Sequence, residues 1–169
     1  RIRRCAPRRM LEIGCGTGDL LTNIKAKEIV GIDISPRMIA AARRRCPTGK
    51  FLEMDAEEIQ LTEKFDYIVA ADLISFLDDI EKALKGWYKV CNSDTKLIIT
   101  HYNFLWEPLV RLAEVLRLKM PERPHNWLTV QDTMNLIRLA DFEVIKTGSM
   151  LIFPKYLPLI SNFLNKYAA

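Results

Sequence analysis

Three glycines, at positions 14, 16 and 18, close the segment Leu11-Glu12-Ile13-Gly14-Cys15-Gly16-Thr17-Gly18-Asp19. A glycine-rich turn after a strand lets the backbone approach a ligand with no side chain between, although any tight strand-to-helix turn can use three glycines. A dinucleotide loop would place its third glycine one residue later, where this chain has Asp19, and would leave a helix N-terminus free for a pyrophosphate. An aspartate there repels phosphate. The loop, with carboxylates near it, suits a ligand that carries positive charge and no phosphate. Asp33 follows Gly14 by 19 residues, the position from which a carboxylate accepts both ribose hydroxyls of an adenosine. Asp55, in Met54-Asp55-Ala56, stands where side chain and backbone reach an adenine edge; taken singly it reads as a helix cap or an exposed loop residue. His101 is the best candidate for a general base, because an imidazole exchanges a proton near neutral pH. A bond from His101 to a neighbouring loop carbonyl is an equal alternative.

These residues need a scaffold, and the apolar pattern supplies one. Strands are expected at residues 10–13, 29–34, 51–54, 65–70, 96–100 and 142–145. Helices are expected from Asp19, with Leu20, Leu21 and Ile24 on one face, and from Ser35-Pro36, with Met38, Ile39 and Ala42 inward as far as Pro47-Thr48-Gly49. Another is expected from near Asp78, burying Ile80, Leu84, Trp87 and Cys91 and ending in the turn-forming Asn92-Ser93-Asp94. Strands spaced by helices read as an α/β fold, a doubly wound, mostly parallel sheet with ligands outside the carboxyl ends of its strands. The three acidic or glycine-rich segments fall at three successive strand ends. The connection from residue 101 to 141 exceeds what one βαβ unit needs. It holds a helical pattern over Glu107 to Leu118, a Pro-broken loop from Pro121 to Trp127, and Thr129 with Asp132 spaced as a capping box. Extra chain at that end of a sheet shapes a substrate pocket or packs as a lid.

With these segments in place, the chain resembles the class I S-adenosylmethionine-dependent methyltransferases. Residues 11–18 look like the first motif of that family, Val30-Gly31-Ile32-Asp33-Ile34-Ser35 its ribose-binding second strand, Met54-Asp55-Ala56-Glu57 its adenine segment, and Phe65 to Asp72 its fourth motif. The resemblance covers about residues 10 to 147 and implies S-adenosyl-L-methionine as cofactor. It implies a cofactor site made of Glu12, Gly14, Cys15, Gly16, Gly18, Asp33, Ile34, Asp55, Ala56 and Asp72. In it the glycine loop faces the methionine part, Asp33 the ribose, Asp55 and Ala56 the adenine, and the backbone near Asp72 the sulfonium. The later segments His101 to Pro108, Asn126-Trp127-Leu128 and Leu151 to Leu159 are similar to methyltransferase domains joined to polyprenyl-phosphate-type glycosyltransferases. That narrower likeness implies a glycan-type acceptor and a fused or partner glycosyltransferase.

A sulfonium makes its methyl group electrophilic, so the protein has to bind the cofactor and hold a nucleophile in line. If the acceptor is a hydroxyl or an amine, His101 would take its proton, with Asp72 and Tyr102 as weaker alternatives and His125 as a surface residue. Enzymes acting on exocyclic base amines carry two prolines and an aromatic after the fourth strand, where this chain has Asp72-Leu73-Ile74-Ser75-Phe76. No metal site is expected: Asp78 and Asp79 read as helix N-caps, and the cysteines lack zinc spacing. Phe76, Tyr102, Phe104, Trp106 and Trp127 line an acceptor pocket or belong to the core.

The 169 residues, 49% hydrophobic and 27% charged, exclude a disordered chain and suffice for one core. The net charge of +4 rests on five arginines in residues 1–9, leaving −1 for the remainder, so a nucleic-acid partner is not favoured. The three arginines 43–45 read as a solvated helix face. Four scattered cysteines and no apolar leader fit a cytoplasmic location. The expected organisation is a basic leader (1–9), a methyltransferase domain (10–149) and an apolar tail (150–169), both end segments cut short and the last antiparallel strand of the fold missing. The tail is read as the approach to that strand or as a contact with a membrane surface. The expected activity is methyl transfer to a small-molecule or glycan-type acceptor. The alternatives are an inactive cofactor-binding module of a larger glycosyltransferase-associated protein, and a domain for NAD or a nucleotide-sugar.

Overall fold

The computed structural model describes residues 8–101, 126 and 128–148. Five strands, β1 (Arg9–Ile13), β2 (Glu28–Asp33), β3 (Lys50–Glu53), β4 (Phe65–Ala71) and β5 (Cys91–Thr100), form one sheet in the order β3-β2-β1-β4-β5. Every neighbouring pair is parallel. The order reverses at β1, so its carboxyl end, where the glycines begin, lies at the crevice between two oppositely wound halves. Helix α1 (Pro36–Arg45) joins β2 to β3, α2 (Ile80–Tyr88) joins β4 to β5, and α3 (Val130–Leu139) follows β5. This is a Rossmann-like sheet covered on both faces.

The alternation of side chains along each strand assigns the faces. On one face Leu11, Ile13, Ile32, Ile68 and Ala70 pack with Ala83, Leu84 and Trp87 of α2 and with Ala140 after α3. On the other, Met10, Phe51 and Val69 pack with Ile39 and Ala42 of α1 and with Cys15, Leu21 and Ile24 of the loop region. Glu12 shares its face with Met10 and is buried, at 4% exposure.

The helix starts follow their caps. The Ser35 hydroxyl accepts from the Met38 N–H with Pro36 in the first turn, and the Asp79 carboxylate accepts from the Lys82 N–H at 2.9 Å. Thr129 and Asp132 make the full capping box at the start of α3.

Several expectations are overturned. The helix from Asp19 is a single 3-10 turn, Leu21–Asn23. Here the Asp19 carbonyl is taken by the side chains of Thr22, at 2.8 Å, and Asn23, at 2.9 Å, which compete with a continuing backbone ladder. Leu21 and Ile24 are buried as the spacing requires. Cys91 belongs to β5 rather than α2, and residues 92–94 are strand rather than turn. The Thr95 hydroxyl donates to the Phe65 carbonyl at 2.6 Å and accepts from the Asn92 N–H at 2.6 Å, bridging a register shift between Phe65 and Tyr67. Residues 142–145 form no strand. Asp141 turns left-handed, the Phe142 N–H donates to the Ile137 carbonyl at 3.2 Å, and the Phe142 ring meets Tyr88 edge-on with centroids 5.3 Å apart. Met38 is 43% exposed rather than inward. Asp78 caps no helix; its N–H donates to Glu57 Oε1 at 2.6 Å. The expected helix at 107–118, the loop 121–127 and the tail 150–169 lie outside the described residues. Among the described residues, no helix is long and apolar enough to cross a membrane.

Candidate functional site

The turn after β1 is built from three left-handed glycines, with φ of +71°, +51° and +76° at Gly14, Gly16 and Gly18. The Gly14 and Cys15 N–H groups both donate to the Ile32 carbonyl, at 2.8 and 2.9 Å, which binds the turn to the end of β2. A Cβ on Gly14 would lie 2.9 Å from Leu73 Cδ1 and one on Gly18 3.2 Å from Ala42 Cβ, whereas one on Gly16 would meet nothing within 4 Å. Gly14 and Gly18 are therefore packed, and Gly16 marks the open side of the loop.

Asp33 ties the next strand end to this loop. Its Oδ2 accepts from the Gly16 N–H at 2.8 Å and its Oδ1 from the Ser35 N–H at 2.8 Å. Each carboxylate oxygen keeps acceptor capacity beyond these bonds, so the group is aimed without being exhausted. Ile34, beside it, is 68% exposed. The Asp33 carbonyl accepts from the Met54 N–H at 3.0 Å, which sets Asp55 and Ala56 alongside. Asp55 is exposed, and its Oδ1 accepts from the Glu57 N–H at 2.9 Å. The Ala56 carbonyl accepts from the Trp87 indole N–H at 2.8 Å. Glycine loop, Asp33 and the Asp55–Ala56 segment are thus joined at three neighbouring strand ends.

The carboxyl of Glu12 lies beneath the loop. Its Oε2 is the one buried side-chain oxygen or nitrogen without a hydrogen-bond partner among the described residues. Burial, then the negative charges of Asp19 and Asp33, push its pKa up to about 8. The Cys15 thiol is pushed up to about 12 by burial and by Glu12 and Asp33, so it stays protonated and is no nucleophile. Asp19 does not point its charge into the loop unopposed: it pairs with Arg45, which also donates to the Thr17 hydroxyl at 3.0 Å. Arg43 donates to the Phe51 carbonyl at 2.8 Å. Two of the three consecutive arginines are therefore bonded within the domain.

A second group gathers at the ends of β4 and β5. Asp72 adopts a left-handed backbone with φ of +53°. Its N–H donates to the Thr100 carbonyl at 2.9 Å, and the Thr100 hydroxyl donates to its Oδ1 at 3.1 Å. His101 follows directly, and its Nε2 lies 3.1 Å from the Thr133 hydroxyl of α3. That hydroxyl also lies 3.0 Å from the Thr129 carbonyl. A hydroxyl with one proton serves both contacts when it donates to the carbonyl and accepts from an Nε2–H. Nε2 of His101 thus meets a helix side chain. Thr100 and Thr133 are not among the site residues that the sequence points to. Thr100 was open to detection as the last strand residue before His101, but Thr133 comes near only through the path of the long connection.

Phe76 is 45% exposed; Tyr102, Phe104, Trp106, His125 and Trp127 lie outside the described residues. Among the described residues, no cluster of three or more His, Cys, Asp or Glu is placed to hold a metal ion. The donor set fits a cationic nucleoside: a buried carboxyl with an unmatched oxygen for an ammonium, an aimed carboxylate for a ribose, and an open glycine turn between them.

Comparison with known proteins agrees with this geometry. A family model described as a methyltransferase domain matches residues 11–97. The chain is 34% identical over 106 residues to the demethylmenaquinone methyltransferase of Thermus thermophilus, covering 57% of this chain and 48% of that protein. It is 31% identical over 102 residues to a phosphatidylethanolamine N-methyltransferase of Cereibacter sphaeroides, covering 56% and 50%. A crystal structure from Thermotoga maritima, described as a SAM-dependent methyltransferase and possible histamine N-methyltransferase, superposes with a TM-score of 0.67 at 31% identity. That match covers 80% of this chain and 64% of the other. The chain spans about half the length of the curated relatives it matches.

Proposed function

This chain belongs to the class I S-adenosylmethionine-dependent methyltransferases, and from that premise we propose that it transfers a methyl group from S-adenosylmethionine to a small-molecule acceptor. The observation that carries the proposal is the bond from the Gly16 N–H to the Asp33 carboxylate at 2.8 Å. It joins the glycine turn at the reversal point of the sheet to an acid at the end of the neighbouring strand. When bound, the cofactor would supply a methyl group already activated by its sulfonium, so no nucleophilic triad is required.

The residues divide the work. The open side of the glycine loop, with Gly14, Cys15, Gly16 and Gly18, would hold the methionine part, and the Glu12 carboxyl its ammonium. Asp33, held by two backbone N–H groups, would accept the ribose hydroxyls without having to reorient. Ile34 and the Asp55–Ala56 segment would flank the adenine. The Asp72 backbone would lie on the sulfonium side, its turn fixed by Thr100. His101 would take the proton of a hydroxyl or amine acceptor during or after transfer.

A small-molecule acceptor is supported by the names of two relatives, which refer to demethylmenaquinone and to phosphatidylethanolamine. A glycan-type acceptor, a glycosyltransferase neighbour and a membrane contact through the tail rest on segments largely outside the described residues.

The test is transfer from methyl-labelled S-adenosylmethionine to a quinone precursor, to phosphatidylethanolamine vesicles and to a panel of small hydroxyl and amine compounds. Label recovered in a small-molecule product is the expected result. Cofactor binding with no transfer to any of them would replace the enzyme by a binding module.

A further inference from the structure

Glu12 is the fourth of the five residues of β1, paired in register with Gly31 of β2, which has no side chain, and with apolar Val69 of β4. The titratable groups acting on it are the carboxylates of Asp19, from the loop, and Asp33, from β2; the Cys15 thiol beside it remains neutral. Its Oε2 is buried and without a hydrogen-bond partner among the described residues. A charged carboxylate in that place would be desolvated, repelled twice and unmatched, an arrangement proteins avoid by keeping the proton. An arriving ammonium reverses all three terms.

We propose that Glu12 is protonated before the cofactor arrives and ionises when the ammonium of the cofactor pairs with it, so that cofactor uptake releases one proton. The inference rests on the methyltransferase reading and adds a linkage to it. The balance is simple: the carboxylic acid and the ammonium become a carboxylate–ammonium pair, and the proton passes to the buffer. The raised pKa of Glu12, about 8, agrees with this direction. Below that value the affinity would rise with pH, about tenfold per unit while one proton is released per site. The positive charge of the ligand is thereby selected, because a neutral group at that position leaves Glu12 protonated and gains only a neutral hydrogen bond.

Calorimetric titration with S-adenosylhomocysteine at pH 6 and pH 7, each in two buffers of different ionisation enthalpy, reads the proton directly. The wild-type chain is expected to release close to one proton and to bind about tenfold more tightly at pH 7 than at pH 6. Glu12→Gln is expected to release none, to show no such pH dependence and to bind at least about tenfold more weakly at pH 7. Thermal unfolding of Glu12→Gln confirms that the variant is folded. Binding with no proton release by the wild-type chain overturns the linkage while leaving the methyltransferase reading intact. Proton release that persists in Glu12→Gln assigns it to another group and overturns the role of Glu12. Absence of binding overturns both.

Discussion

The two ends of the candidate site are made differently. The cofactor end is bound together mainly by its own backbone: Gly14 and Cys15 donate to the Ile32 carbonyl and Met54 to the Asp33 carbonyl, with Gly16 donating to the Asp33 carboxylate, all at 2.8–3.0 Å. The acceptor end adds side chains to one backbone bond: Asp72 donates to the Thr100 carbonyl, the Thr100 hydroxyl meets the Asp72 carboxylate, and the Thr133 hydroxyl meets His101. The family match covers residues 11–97, which takes in the first end and Asp72 and stops short of Thr100, His101 and Thr133. A backbone-built pocket needs particular turn geometry and therefore particular glycines. A side-chain-built pocket needs only compatible donors and acceptors, and it can be changed to suit a new acceptor without disturbing the fold. On the proposed reading, cofactor binding belongs to the strand ends that the family match spans, and the contacts of His101 and Thr133 lie beyond it.

Substitutions separate the two ends, and the largest effect belongs to Gly14→Val. A side chain there is forced into a left-handed φ of +71° and into Leu73. About 2–4 kcal/mol of stability is expected to be lost, with a matching fall in melting temperature and loss of S-adenosylhomocysteine binding. Wild-type-like melting and binding would show that the turn is looser than described. Next, His101→Gln is expected to lower turnover about a hundredfold while S-adenosylhomocysteine affinity, measured by calorimetry, stays within about twofold. An equal loss in both quantities would erase the distinction between the ends. Asp33→Ala removes the aimed carboxylate, and an affinity at least about tenfold weaker is expected; unchanged affinity would remove Asp33 from the ribose site.

A pH experiment follows in size. The pKa of Glu12 is raised in the fold to about 8 from 4.5, so between those values the folded chain holds a proton that the unfolded chain has lost. The stability due to this group is therefore largest at low pH and declines as pH rises through the window, by at most about 1.4 kcal/mol per pH unit. Urea unfolding of the cofactor-free chain across pH 5–8 is expected to show that decline and Glu12→Gln to lack it; identical profiles would contradict the buried acid. The smallest effect is expected for Thr133→Val: a few-fold loss of turnover, no change in S-adenosylhomocysteine affinity, and loss of the Nε2–H tautomer preference of His101 by nitrogen NMR. An unchanged tautomer would show that Thr133 does not set it.

The local structure of the proposed cofactor end was legible in the sequence because its requirements are local. Glycine spacing dictates the turn, the acid at position 33 terminates an apolar strand, and Ser35-Pro36 announces the helix that follows. The Thr129–Asp132 capping box was equally plain. What failed to show depended on competition or distance. Thr22 and Asn23 take the Asp19 carbonyl, so an apolar spacing that reads as a helix yields one turn. Thr95 bridges to Phe65 and keeps a turn-like Asn-Ser-Asp in a strand. Residues 142–145 have strand composition, yet Phe142 is drawn to the end of α3 and to Tyr88. That one oxygen of Glu12 has no partner among the described residues is a property of the whole packed face, and the contact of His101 with Thr133 spans 32 residues of chain.

The central claim is that the glycine turn and Asp33 form a preorganised site for S-adenosylmethionine. Parallel calorimetric titrations of the wild-type chain with S-adenosylhomocysteine and with NAD test it most directly. The account predicts saturable one-to-one binding of S-adenosylhomocysteine, undiminished by NAD in excess. No binding of S-adenosylhomocysteine, or tighter binding of NAD at the same site, would contradict it.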